Sequence, residues 1–157
     1  MGVETPPMRL KRAREAVGLD EHSVARLAGI TSSWYYELEG DEDDLAMTLS
    51  LEKLCHLAEV VRTDPLVLLI GARASSVVRS IEFEDVVRGL TAQMAASGLD
   101  VEQFGERVGW EIGKILTDPN ELWELNTDGF RDVATAAGVD WSSAFPRSRR
   151  STAGVAV

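Results

Sequence analysis

Apolar residues recur three and four positions apart along this chain, and no run alternates apolar and polar residues in the manner of a half-buried strand. The pattern predicts an all-α protein. A first helix is expected over residues 8–17, after Pro6 and Pro7, with Leu10, Ala13 and Val17 on one face and Gly18 ending it. Asp20 suits the N-cap of a second helix over residues 21–28, because its carboxylate can accept from the unpaired amides of the first turn. Gly29 then supplies a bend, Thr31 caps a third helix over residues 32–39, and Gly40 stops it. Ser50 caps a fourth over residues 51–61, whose Leu51, Leu54, Leu57, Ala58 and Val61 form an inward stripe. Asp64 and Pro65 open a fifth, ending at Leu69, with proline at the first helical position where its missing amide does no harm.

Small residues interrupt the pattern, and residues 72–81 are expected to be a linker. The helical pattern then returns in a related form. At an offset of 80 positions, Leu10, Ala16, Gly18, Leu19, Asp20 and Gly29 meet Leu90, Ala96, Gly98, Leu99, Asp100 and Gly109. A four-residue deletion resumes the match at an offset of 76, through Leu49/Leu125, Ala58/Ala134 and Asp64/Asp140. A diverged internal duplication is expected, although short helical segments also share glycine and aspartate punctuation for local reasons. The expected organisation is residues 1–71, a linker over 72–81, a degenerate second helical domain over 82–145, and a flexible tail over 146–157. Phe104, Val108 and Trp110 should then occupy the places of Val24, Ala28 and Ile30, with Gly105 at that of Ala25.

Charge complicates any partnership with nucleic acid. The 157 residues carry a formal net charge of −10, so DNA binding would need a local basic patch. Residues 1–71 hold seven Lys/Arg against thirteen Asp/Glu, and their basic cluster is Arg9, Lys11, Arg12 and Arg14. The single Cys55 excludes an intramolecular disulfide, and with His22 and His56 it is too little for a metal site. No 18-residue apolar run and no signal-peptide core occur, so neither a membrane nor an export route is expected and a cytoplasmic setting fits. Neither a Ser/His/Asp order nor a glycine-rich phosphate loop stands out, so no enzyme and no cofactor are expected.

The run VARLAGITSSWYYELEG, residues 24–40, combines a small residue at Ala25, a turn glycine at Gly29, a capping hydroxyl at Thr31 and a closing Glu39-Gly40. It resembles the Cro/phage-repressor-type helix-turn-helix of the XRE family, and the resemblance extends over roughly residues 8–70. The second repeat is similar only distantly, with Trp110 in place of Ile30 and Asp118-Pro119 interrupting its third helix. The resemblance implies a five-helix domain that binds double-stranded DNA, usually as a homodimer, with the third helix in the major groove. Carried over by position, the DNA-facing set is Thr31, Ser32, Ser33, Trp34, Tyr36 and Glu37, and Arg9, Lys11, Arg12 and Arg14 would hold phosphates.

Two functions remain open at this point. One is a transcriptional regulator, with the second repeat as its dimerisation or effector half and self-association through Val86, Val87, Leu90 and Met94. The other is an acidic interaction module of the same shape, antitoxin-, immunity- or anti-regulator-like, whose run Asp41, Glu42, Asp43 and Asp44 meets a basic protein partner.

Overall fold

The computed structural model describes residues 2–149 of the chain. Among them there is helix and no strand. The chain divides into two compact units, one from Met1–Ser76 together with the segment starting at Pro146, the other Val77–Phe145.

In the first unit, α1 (Pro6–Ala16) starts two residues before the expected position. Thr5 is its N-cap, accepting from the Met8 amide at 3.4 Å, so both prolines sit in the first turn where no amide is needed. α2 (Glu21–Ala28) is capped by Asp20, which accepts from the Ser23 amide at 2.7 Å. α3 (Ser32–Leu38) is capped by Thr31, α5 (Leu51–Val60) by Ser50 and α6 (Pro65–Ile70) by Asp64. Between α3 and α5 lies α4 (Asp44–Met47), a single turn that periodicity could not reveal because only Leu45 of its four residues is buried. A 3₁₀ segment, Gly71–Ser76, follows α6 and belongs to this unit, where a linker was expected.

α2 packs on α3 and α5, and α1 packs on α6. Leu10, Val24, Tyr35, Leu38, Leu54 and Leu57 are all fully buried at the centre. Each such leucine contributes about 2 kcal/mol of burial free energy, which is what holds helices this short in register.

The second unit is also helical. It runs α7 (Phe83–Ser97), α8 (Val101–Val108), α9 (Ile112–Thr117), a 3₁₀ segment Pro119–Glu124, α10 (Thr127–Ala136) and α11 (Trp141–Ala144). Asp100 and Gln103 form a capping box for α8, and Asn126 and Asp140 cap α10 and α11. Asp118 ends α9 and caps the 3₁₀ segment, so the interruption seen in the sequence is a real helix boundary. Its core is aromatic: Phe83 meets Trp123 edge-on at 5.1 Å, and Phe130 meets Phe145 edge-on at 5.8 Å.

The leading helices pack differently in the two units. α7 lies against α10 and the 3₁₀ segment, whereas α1 lies against α6. A Cβ built on Gly89 would stand 2.4 Å from the Ala137 carbonyl oxygen, so only glycine permits this approach of α7 to α10. Offset by 80 positions from Gly89 is Arg9, whose long side chain reaches α6 instead.

The tail expected to be flexible divides at the edge of the described residues. Residues 146–149 lie on the first unit: the Cys55 thiol donates to the Pro146 carbonyl at 3.8 Å and Ser148 Oγ donates to Glu59 at 2.7 Å. Arg147 faces Asp64 at 3.9 Å and Arg149 pairs with Glu52. Residues 150–157 lie outside the described residues.

Candidate functional site

Three residues join α2 to α3. Gly29 takes φ +73°, a left-handed conformation that penalises side chains, and the Ile30 amide donates back to the Ala25 carbonyl at 3.0 Å. The chain thus turns sharply enough for Ala25 and Tyr35 to be buried together in one core. Buried Tyr35 and Leu38 fix which side of α3 faces inward. Ser33, Tyr36 and Glu37 are then left exposed at spacings of three and four, in one outward row. Tyr36 is 58% exposed, large for an aromatic residue. The Ser33, Tyr36 and Glu37 side chains make no hydrogen bond or ion pair among the described residues.

The other members of the expected DNA-facing set are engaged locally. Thr31 Oγ1 accepts from the Trp34 amide at 3.1 Å, and Ser32 Oγ lies 2.6 Å from His22 Nδ1. Trp34 is half-buried: its indole N–H donates to Thr48 Oγ1 at 3.2 Å, and the Lys53 ammonium stands 4.9 Å from the ring centroid. Trp34 therefore bridges α3 to the segment that follows it, and its polar edge is already satisfied.

The basic cluster on α1 needs correction. Arg9 is 8% exposed and donates through Nε to the Leu68 carbonyl at 2.9 Å, through Nη2 to the Leu69 carbonyl at 2.8 Å, and through Nη1 to Glu4. It closes the C-terminal end of α6, and burial lowers its pKa from the usual arginine value. Arg14 is 6% exposed and donates from Nε and Nη2 to the two oxygens of Glu39, at 2.8 and 3.1 Å. It also donates to the Leu19 carbonyl at 3.0 Å and to Glu21 at 3.3 Å. Hydrogen bonding to Glu39 raises the Arg14 pKa further. Neither guanidinium is open to a phosphate. Arg12 pairs with Glu4 at 2.7 Å, and Lys11 is exposed.

Lys11 and Arg12 of the expected set thus stay exposed while Arg9 and Arg14 turn inward, and two further exposed cations lie on this unit. Lys53 stands beside α3 over Trp34, and Arg26 is exposed one turn along α2 from His22, which touches the start of α3. The signal for Arg26 was present in the spacing of His22 and Arg26 on one helix face. That for Lys53 was not, since nothing local links it to Trp34.

No protein-family model, curated protein or solved structure matches the chain. What the first unit does must be sought in its own side chains. Among the described residues no group of three or more His, Cys, Asp or Glu side chains is placed to hold a metal. No helix among them is long and apolar enough to cross a membrane. The exposed charge on this unit is mixed: Lys53 stands over Trp34, Arg26 lies on α2, Glu37 is in the outward row itself, and Asp41, Glu42 and Asp43 follow α3.

Val86 and Leu90, expected to serve dimerisation, are fully buried within the second unit, and Val87 and Met94 are half-buried. The leading helix therefore applies its apolar stripe to its own core.

Proposed function

We propose that this chain is a DNA-binding regulator whose first unit reads a duplex operator with the outward row of α3, as its resemblance to the Cro/phage-repressor-type helix-turn-helix implies. One observation carries the reading. The three-residue connection through Gly29 and the Thr31 cap leaves Ser33, Tyr36 and Glu37 aligned, exposed and without internal partners. Ser33 can pair with several base edges, Glu37 can accept from a cytosine amino group, and the Tyr36 ring can lie on a thymine methyl. Lys53, Arg26 and Lys11 are the cations suited to phosphates, in place of Arg9 and Arg14. On this proposal the second unit is a diverged copy, which its helix order and its caps at Asp100, Asn126 and Asp140 support.

The test is selection from a random duplex pool at about 50 mM salt, where charge contacts are least screened. Enrichment of one motif is expected, and an inverted repeat would accompany a homodimer. Ser33→Ala or Tyr36→Ala should change the preferred sequence, whereas Arg26→Ala with Lys53→Ala should weaken every duplex alike. Retention of no duplex overturns the reading.

A second function is favoured by a different observation. Arg9 and Arg14 are committed inside the unit while Asp41, Glu42 and Asp43 stand exposed after α3, which suits an acidic surface for a basic protein. Replacing Asp43 and Asp44 by Asn separates the two. The double change should tighten DNA binding if α3 reads a groove, and should weaken a complex with a basic protein if the acidic loop is the working surface.

A further inference from the structure

The connection between α8 and α9 turns through a left-handed glycine as the α2–α3 connection does, but its surroundings are more acidic. Gly109 takes φ +86° where Gly29 takes +73°, and the Trp110 amide donates to the Gly105 carbonyl at 3.1 Å as Ile30 does to Ala25. At the positions of His22, Arg26 and Thr31, however, the second unit carries Glu102, Glu106 and Glu111. An open groove of about 650 Å³ lies here, and Val101, Gly105, Trp110, Ile112 and Gly113 line it together with these glutamates. In the first unit His22 Nδ1 instead lies 2.6 Å from Ser32 Oγ.

We propose that this groove receives an arginine-bearing segment of a partner protein. Glu102 and Glu106 lie one turn apart on α8, both exposed, and neither carboxylate has a hydrogen bond or ion pair among the described residues. Like charges at this spacing oppose each other on a helix, and a cation between them relieves that repulsion. Glu111 is 87% exposed and has only a loose contact with Lys114, at 3.9 Å. Between the carboxylates the wall is apolar, with Val101 40% exposed and Trp110 half-buried. Trp110 is held in place from behind: its indole N–H donates to Asp132 at 3.1 Å, and its ring lies where a Cβ on Gly129 would come within 2.7 Å.

These features match the parts of one side chain. An arginine lays its alkyl stem along apolar surface and presents a planar fork that two carboxylates can accept. Glycine at 105, 109 and 113 keeps the walls low, so a peptide backbone can approach. A duplex is repelled from the same place, because three carboxylates oppose its phosphates. The groove thus has a partner class distinct from that of α3, and its test does not depend on DNA binding.

The experiment uses the full chain, labelled with nitrogen-15, and an acetylated peptide in which two arginines are set among leucines and alanines. The same peptide with glutamates for arginines is the control. Saturable shifts are expected at the Gly109 and Gly113 amides and the Trp110 indole, with none from the control peptide. Glu102→Gln with Glu106→Gln should weaken the arginine peptide by about tenfold, whereas Asp43→Asn with Asp44→Asn should leave it unchanged. Glu102, Glu106 and Asp43 are exposed and Asp44 is half-buried, and an otherwise unshifted spectrum checks that each variant keeps its fold. Equal binding by the Glu102→Gln, Glu106→Gln variant, or shifts centred on residues 41–44, would overturn the proposal.

Discussion

Arg14, Glu39 and Tyr35 form the most consequential side-chain group in the first unit. Glu39 is 10% exposed and its two oxygens both accept from Arg14. Arg14→Ala would leave that carboxylate nearly buried without its partner, and a loss of about 2–3 kcal/mol in urea unfolding is expected. A phosphate-binding arginine would show no such loss. The Tyr35 hydroxyl is buried beside the pair without an aligned hydrogen bond, and burial, then Glu39, raises its pKa above the usual phenol value. Because the folded state favours the neutral phenol, the stability it contributes is present below about pH 10 and is lost as the pH rises beyond it. Tyr35→Phe should be neutral to within about 1 kcal/mol at pH 7 and should move the alkaline unfolding midpoint upward, as followed by circular dichroism. Asp20 has the opposite sign. Hydrogen bonding from Ser23 lowers its pKa, so that cap contributes stability above the ordinary carboxylate range and loses it as the pH falls through the lowered value.

At the scale of elements, the approach of α7 to α10 through Gly89 gives a prediction against helix propensity. Gly89→Ala adds a good helix former, yet the new methyl would meet a backbone carbonyl oxygen at 2.4 Å, which cannot rotate away. A net loss of about 1–3 kcal/mol in the second unit is expected, read by the fluorescence of Trp110, Trp123 and Trp141. The same contrast explains what the sequence could disclose. Asp20, Thr31, Ser50 and Asp64 cap by bonding amides two or three residues away, so they and the helices they open were legible from local spacing. Arg9 and Arg14 bond partners 59 and 25 residues away, and a basic cluster gives no hint that its members turn inward. Trp34 and Lys53 meet for the same non-local reason. Within the candidate site, Ser33, Tyr36 and Glu37 were legible because buried Tyr35 and Leu38 fix the helix rotation.

For the whole molecule, the balance of charge sets how any duplex must be held. On the proposed DNA-reading function, with Lys11, Arg26 and Lys53 holding phosphates, the plot of log affinity against log salt should have a slope of about −3, shallow for an operator-binding protein. A slope several times steeper would mean that other cations take part. Titration of one operator duplex over a range of salt measures it.

The return of residues 146–149 to the first unit has a consequence in time. A ribosome delivers the chain from its N-terminus, so α1 to α6 emerge long before the four residues that lie on Cys55, Glu59 and Asp64. Until they emerge, the first unit stands without these contacts, and the Cys55 thiol is uncovered on the Pro146 side. A chain ending at residue 145 keeps that nascent condition permanently. Its Cys55, 2% exposed with residues 146–149 in place, should react with a maleimide well before the 157-residue chain does, and equal rates would show that the late-arriving segment protects nothing.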